Sequence, residues 1–360
     1  MSKRGDWKLM LYSINFLRFV AALGVVVFHA SYSRFNVGQA GVDVFFVISG
    51  IVISYATPAD ESARAFFAKR LTRILPLYWI ATIAYVGFRW AAWGLLPNTH
   101  TLVTSMLLLP DFSAQHWMPL YFPAWTLIFE FFFYGVFGLL LAFRQPRIVI
   151  IIMMAAIAAV PAAPGSIFAG TFSPTMCVEF VFGLIICERL KARLVVPRYV
   201  GAFCLCIAAI ILAANFHLHS GRVLEWGIPA ALLIVGSLGF EGTHWMQSRA
   251  AVLAGNASYS IYLFHETVIE CLANLGSQFH LAPYKHRSLL EIFFLASISV
   301  AVGILIHLMI EKPLLIWLRS VIRRRWQSVS ADQQGAVLGA RSPEKSATFE
   351  YDAITRNARR

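Results

Sequence analysis

Ten apolar stretches separated by short polar turns run along this chain, at about 11–30, 39–57, 74–95, 122–143, 148–165, 168–188, 199–217, 222–240, 253–275 and 290–312. Each holds roughly the twenty residues that an α-helix needs to cross about 30 Å of hydrocarbon. The pattern predicts an all-α, polytopic integral membrane protein of ten transmembrane helices. The stretch TLVTSMLLLP at 101–110 is too short to span and reads as a re-entrant or interfacial piece. The first stretch exceeds a signal-peptide core and has no small-residue cleavage site after it, so it is expected to stay as a helix. Residues 1–10 then form an N-terminal tail, 11–317 a transmembrane domain, and 318–360 a basic and then disordered tail. From Gln327 onward the chain is polar without an apolar period. No fixed-period repeat is visible.

Composition agrees. The chain is 59% hydrophobic and 13% charged, with mean hydropathy +0.68, where soluble domains carry about a quarter charged residues. The net charge of +12 is the cationic bias of cytoplasmic loops rather than a sign of nucleic-acid binding. With the N-terminus inside, eleven Lys and Arg fall in the inner loops: Arg64, Lys69, Arg70, Arg73, Arg144, Arg147, Arg189, Lys191, Arg193, Arg198 and Arg249. Only Arg34, Arg222, Lys285 and Arg287 fall outside. Ten spans with both termini cytoplasmic satisfy this count; an eleventh helix at 101–110 would reverse every later loop. The five cysteines lie in or beside apolar segments without metal-ligand spacing and read as small apolar fillers.

Ionisable residues inside spans are costly and are read first as functional. Arg18 and His29 share the first span. Eleven residues at about 100° each bring them to one helical face, about 16 Å apart along the axis. Asp43, near the outer end of the second span, is expected beside His29, where a carboxylate would fix the imidazole tautomer. The other reading of that pair is a mutually neutralised helix lock. Glu130 and His265 fall near the membrane midplane; a protonated carboxyl donor and a core histidine bonded to a backbone carbonyl are their respective local possibilities. Glu179, His307 and Glu311 are read as structural pairs. Arg70 and Arg73, three apart in RLTR before the third span, suit a phosphorylated ligand or the anionic lipid surface. Pro76 is expected to shape the start of that helix. No nucleophile elbow, zinc-protease motif, Walker loop or dinucleotide fingerprint is present.

In order, Arg18 and His29, GVDVFFVISG at 41–50, RLTR at 70–73, WTLIFE at 125–130, SYSIYLFH at 258–265 and EKP at 311–313 resemble the acyltransferase-3 family of bacterial inner-membrane proteins. The similarity covers roughly residues 11–317 and is greatest to exopolysaccharide-production acetyltransferases. It implies O-acylation, O-acetylation first, of an extracytoplasmic polysaccharide or lipid-linked glycan. The donor would be cytoplasmic acyl-CoA, acetyl-CoA first, with no metal and no nucleic-acid partner. Membrane lipid and polysaccharide assembly machinery are the other implied partners. It further implies that Arg70 and Arg73 engage coenzyme A phosphates, Arg18 guides the donor, and His29 is the main catalytic residue. Asp43, Glu130 and His265 would join the catalytic set, with Trp125 and Tyr262 at the substrate. Composition alone leaves room for a proton-coupled transporter or a structural subunit of an export complex.

Overall fold

The computed structural model describes residues 11–58, 60–110, 118–158, 176–192, 195–214, 221–278 and 287–322. Every regular element among them is helical: α1 Tyr12–Ala30, α2 Ala40–Ala56, α3 Ala63–Trp93, α4 Thr99–Met106, α5 Trp125–Ala142, α6 Arg147–Ala158, α7 Cys177–Lys191, α8 Arg198–Ala214, α9 Ile228–Leu238, α10 Arg249–Gln278 and α11 Leu289–Ile306. Among the described residues, five helical stretches are long and apolar enough to cross a membrane: Tyr12–Ala30, Asn36–Ala56, Ala63–Trp93, Phe122–Ala142 and Leu289–Ile322. The chain divides into two compact units, Met1–Glu311 and Lys312–Arg360. All candidate site residues belong to the first; in the second, residues 312–322 are helical.

The third helix begins earlier than its apolar stretch. Ser62 caps it by accepting a hydrogen bond from the Ala65 amide, and the helix ends at Gly94, whose φ of 67° supplies the left-handed turn. Its 31 residues measure about 46 Å, more than the hydrocarbon thickness, so Arg70 and Arg73 ride on its first turns rather than in a loop. Pro76 is therefore interior, not at the start. The short α4 folds back along the middle of α3: Tyr78 Oη donates to the Ser105 carbonyl at 2.6 Å and Trp79 Nε1 to that of Met106 at 2.9 Å. Residues 111–117 lie outside the described part, and Leu120 N rejoins Ser105 Oγ at 2.8 Å.

The first unit is organised around α1, α2 and α10. α1 packs between α2 and α10, α2 lies along α7, and α10 along α11. The α2–α7 contact depends on two glycines. A Cβ on Gly183 would stand 2.0 Å from the Val47 carbonyl oxygen, and one on Gly50 would stand 2.2 Å from that of Phe180. The backbones touch, so a methyl group there must part the helices. Gly183→Ala is expected to cost about 1–3 kcal/mol through overpacking and to lower the melting temperature in detergent. An unchanged melting temperature would mean that this contact is not tight.

Candidate active site

A cavity lies where α1, α2, α3, α5 and α10 converge. Arg18, Arg70, Arg73, Ser49, Glu130, Tyr134 and Tyr262 line it, with Phe45, Thr126 and Tyr259. Three guanidiniums thus face one carboxylate. Glu130 Oε1 accepts from Ser49 Oγ at 2.6 Å and from Tyr134 Oη at 2.5 Å. Arg70 is buried and lies over the Phe66 and Tyr134 rings, 5.6 and 6.0 Å from their centroids. Aromatic faces hold a cation by its charge while leaving its N–H fork free to take an anion. The structure thereby gathers Arg18, Arg70, Arg73, Glu130 and Tyr262 from four helices into one lining.

The two histidines are not in that lining but lie next to it, with the His265 ring 5.8 Å from that of Tyr262. Tyr262 is buried; its hydroxyl donates to the Pro123 carbonyl at 3.0 Å and pairs with Thr126 Oγ1 at 2.9 Å. Its own carbonyl stands 2.5 Å from His265 Nδ1. A carbonyl can only accept, so His265 carries its proton on Nδ1 and leaves Nε2 as an acceptor. His29 Nδ1 lies 3.0 Å from the Val25 carbonyl and 3.0 Å from His265 Nε2. By the same logic His29 is protonated on Nδ1 and shares that hydrogen between the two acceptors. The lone pair of His29 is then on Nε2, which faces Glu266 Oε2 at 3.9 Å and the edge of the exposed Phe122 ring, 6.0 Å between centroids. This is the arrangement of an oriented base: one nitrogen anchored, the other presented.

Asp43 does not hold His29. Its carboxylate is fully buried and pairs with Arg222, Nη2 to Oδ2 at 3.0 Å. The Arg222 guanidinium lies 5.9 Å over the Trp125 ring. The two spans are neighbours as expected, but Asp43 sits in the first turn of α2 and faces Arg222, 179 positions away at the start of the helical segment that leads into α9. Asp43 and Trp125 therefore form a cluster with Arg222 and are not in the cavity lining. Of the weaker candidates, Glu311 accepts from Ser260 Oγ at 2.6 Å and pairs with His307 Nδ1 at 2.7 Å, the structural role read from sequence.

Sequence reasoning missed three contributors: Ser49 on Glu130, Glu266 beside both histidines, and Arg222. Glu266 immediately follows His265 in SYSIYLFHE, and that adjacency was its available signal. Glu266 Oε2 is also 3.7 Å from His265 Nε2. Among the described residues, His29, His265 and Glu266 form a group whose spacing could hold a metal ion, with their ligand atoms within 4.8 Å of one another. In the present arrangement the His29 N–H occupies the one lone pair of His265 Nε2, and a ligand nitrogen needs that pair free.

The comparisons decide the family. The acyltransferase-3 pattern, an acyltransferase domain, matches residues 11–308. The chain belongs to that family. It is accordingly an acyltransferase and, with its apolar helices, a multi-pass membrane protein. It is 34% identical over 316 residues to the exopolysaccharide production protein ExoZ of Rhizobium meliloti (strain 1021), covering 81% of this chain and 94% of that one. It is 26% identical to acyltransferase MdmB of Streptomyces mycarofaciens, covering 89% and 95%. It is 24% identical to YrhL of Bacillus subtilis (strain 168), named as a candidate peptidoglycan O-acetyltransferase, covering 70% of this chain and 48% of that one. No solved structure matches. Family membership favours the enzyme over the transporter and export-subunit readings.

Proposed function

We propose that this acyltransferase moves an acyl group, acetyl first, from cytoplasmic acyl-CoA to a hydroxyl of an extracytoplasmic polysaccharide of the exopolysaccharide kind. In this reading it resides in the bacterial inner membrane with ten spans and both termini in the cytoplasm. Membrane lipid surrounds it, and polysaccharide assembly machinery delivers the acceptor. The observation that carries the reading is the adjacency of an arginine-lined cavity and an oriented histidine, linked through Tyr262, which lines the cavity and holds His265. Arg70 and Arg73 hold coenzyme A phosphates, and Arg18 draws the donor inward. His29 Nε2 removes the acceptor's hydroxyl proton as its oxygen attacks the thioester carbonyl carbon. The C–S bond then breaks, and the leaving thiolate takes up that proton. His265 holds the His29 ring, and its own ring is held by Tyr262.

The exopolysaccharide acceptor is supported by the similarity to ExoZ, named for exopolysaccharide production, and by the SYSIYLFHE and WTLIFE resemblance. The cytoplasmic donor is supported by the basic residues on the first turns of α3, the side that the loop charges assign to the cytoplasm. The test is to feed acyl-labelled acetyl-CoA to inverted membrane vesicles and to measure label on saccharide. Label that requires this protein supports the reading; saccharide movement without label returns the transporter. In the same assay, joint Arg70→Ala and Arg73→Ala substitution is expected to raise the apparent KM for acetyl-CoA by about tenfold or more, since charge-assisted phosphate bonds contribute about 1.5–3 kcal/mol each. Unchanged donor dependence would remove both arginines from the donor site.

A further inference from the structure

The donor cavity and the histidine pair do not communicate through open space. Neither His29 nor His265 lines the cavity. On the side of the lining nearest the histidines stands Tyr262, flanked by two further lining residues that touch it, Phe45 and Thr126. The Phe45 and Tyr262 rings meet edge-on, with centroids 5.5 Å apart at 64°, and the Tyr262 ring lies 5.8 Å from that of His265. Tyr262 cannot give way freely, because its hydroxyl is tied to both Thr126 and Pro123 and its carbonyl holds His265. Phe45 has no hydrogen bond to hold it and is only partly buried. It is the yielding half of the ring pair.

Resting on the acyl-CoA reading above, we propose that Phe45 is a specificity-determining residue: pressed on the tethered Tyr262, it limits the acyl group that reaches His29 to a short one. A group of two carbons needs only a small displacement of the Phe45 ring. Each further methylene must find room between two rings already in contact, and one methylene too many in such a pocket is worth about 10–200-fold in discrimination.

The experiment uses inverted vesicles carrying the full chain and acyl-labelled acetyl-, butyryl- and hexanoyl-CoA, with label on saccharide as readout. Wild type is expected to transfer hexanoyl at less than about one-tenth the acetyl rate. Phe45→Ala is expected to raise the hexanoyl-to-acetyl ratio by about fivefold or more, with butyryl between. Phe45→Leu should move it in the same direction and carries the test if the alanine variant fails to accumulate. Equal use of hexanoyl and acetyl by wild type would overturn the proposal, as would an unchanged ratio in variants that still transfer acetyl. If no acyl-CoA gives protein-dependent label, the broader reading fails and this one with it.

Discussion

His29→Ala is expected to lower acyl transfer by about two to four orders of magnitude, the usual contribution of a positioned general base, while the protein remains folded. The geometry makes the loss specific. The His29 ring is anchored at Nδ1 by the Val25 carbonyl and His265 Nε2, so Nε2 is the atom left to act. The side chain is about one-fifth exposed, and removing it deletes a tip rather than a packed core group. Size-exclusion and melting profiles of the purified variant should match wild type, and donor binding should persist because the arginine-lined cavity is elsewhere. Transfer at wild-type rate by a well-folded His29→Ala protein would sink the base assignment. His29→Gln sharpens the comparison: it can restore a hydrogen bond to the carbonyl of Val25 but supplies no base, so it should be as inactive.

Much of this architecture was legible in the sequence because the bilayer imposes long apolar runs, and an ionisable residue inside one stands out. Arg18, Glu130, Tyr262, His29 and His265 could be picked for that reason or through their ordered motifs. What periodicity could not supply was which of them face one another. His29 and Asp43 lie on sequential helices, and proximity in the chain suggested a pair. The rotation of α2, fixed by the Gly50–Gly183 contact with α7 and by close approach of Gly41 to the Ala21 carbonyl oxygen, turns Asp43 elsewhere. The His29–His265 contact spans 236 positions and leaves no local trace. Arg222 was counted as an ordinary outer-loop charge; nothing in its neighbours announces a buried partner. The α3 start was misjudged for a different reason. Its first turns are amphipathic and basic, so hydropathy stops where the helix does not.

The Asp43–Arg222 pair yields the second large effect, one of stability rather than chemistry. Removing one partner of a buried ion pair leaves the other charge uncompensated, at a cost of about 3–5 kcal/mol. Asp43 is fully buried, whereas the Arg222 side chain is about one-quarter exposed, so the lower end, about 3 kcal/mol, is expected for Asp43→Asn. Relief from the nearby Glu179 is limited: it is itself fully buried, and neither of its carboxylate oxygens makes a hydrogen bond. Replacing both partners with apolar groups should recover most of the loss, because the penalty lies in the orphaned charge. Asp43→Leu with Arg222→Met is therefore expected to melt near wild type, while either single variant melts well below it. Transfer in the double variant should survive in part, since Arg222 acts by holding Trp125 at the start of α5 and the cavity and histidine pair are built from other residues. The contrary outcome is informative: an Asp43→Asn protein with unaltered melting but no transfer would give Asp43 a part in the reaction rather than a structural one. A thermal-unfolding series in detergent, run beside the vesicle assay on wild type, Asp43→Asn, the two single apolar variants and the double variant, separates the two roles.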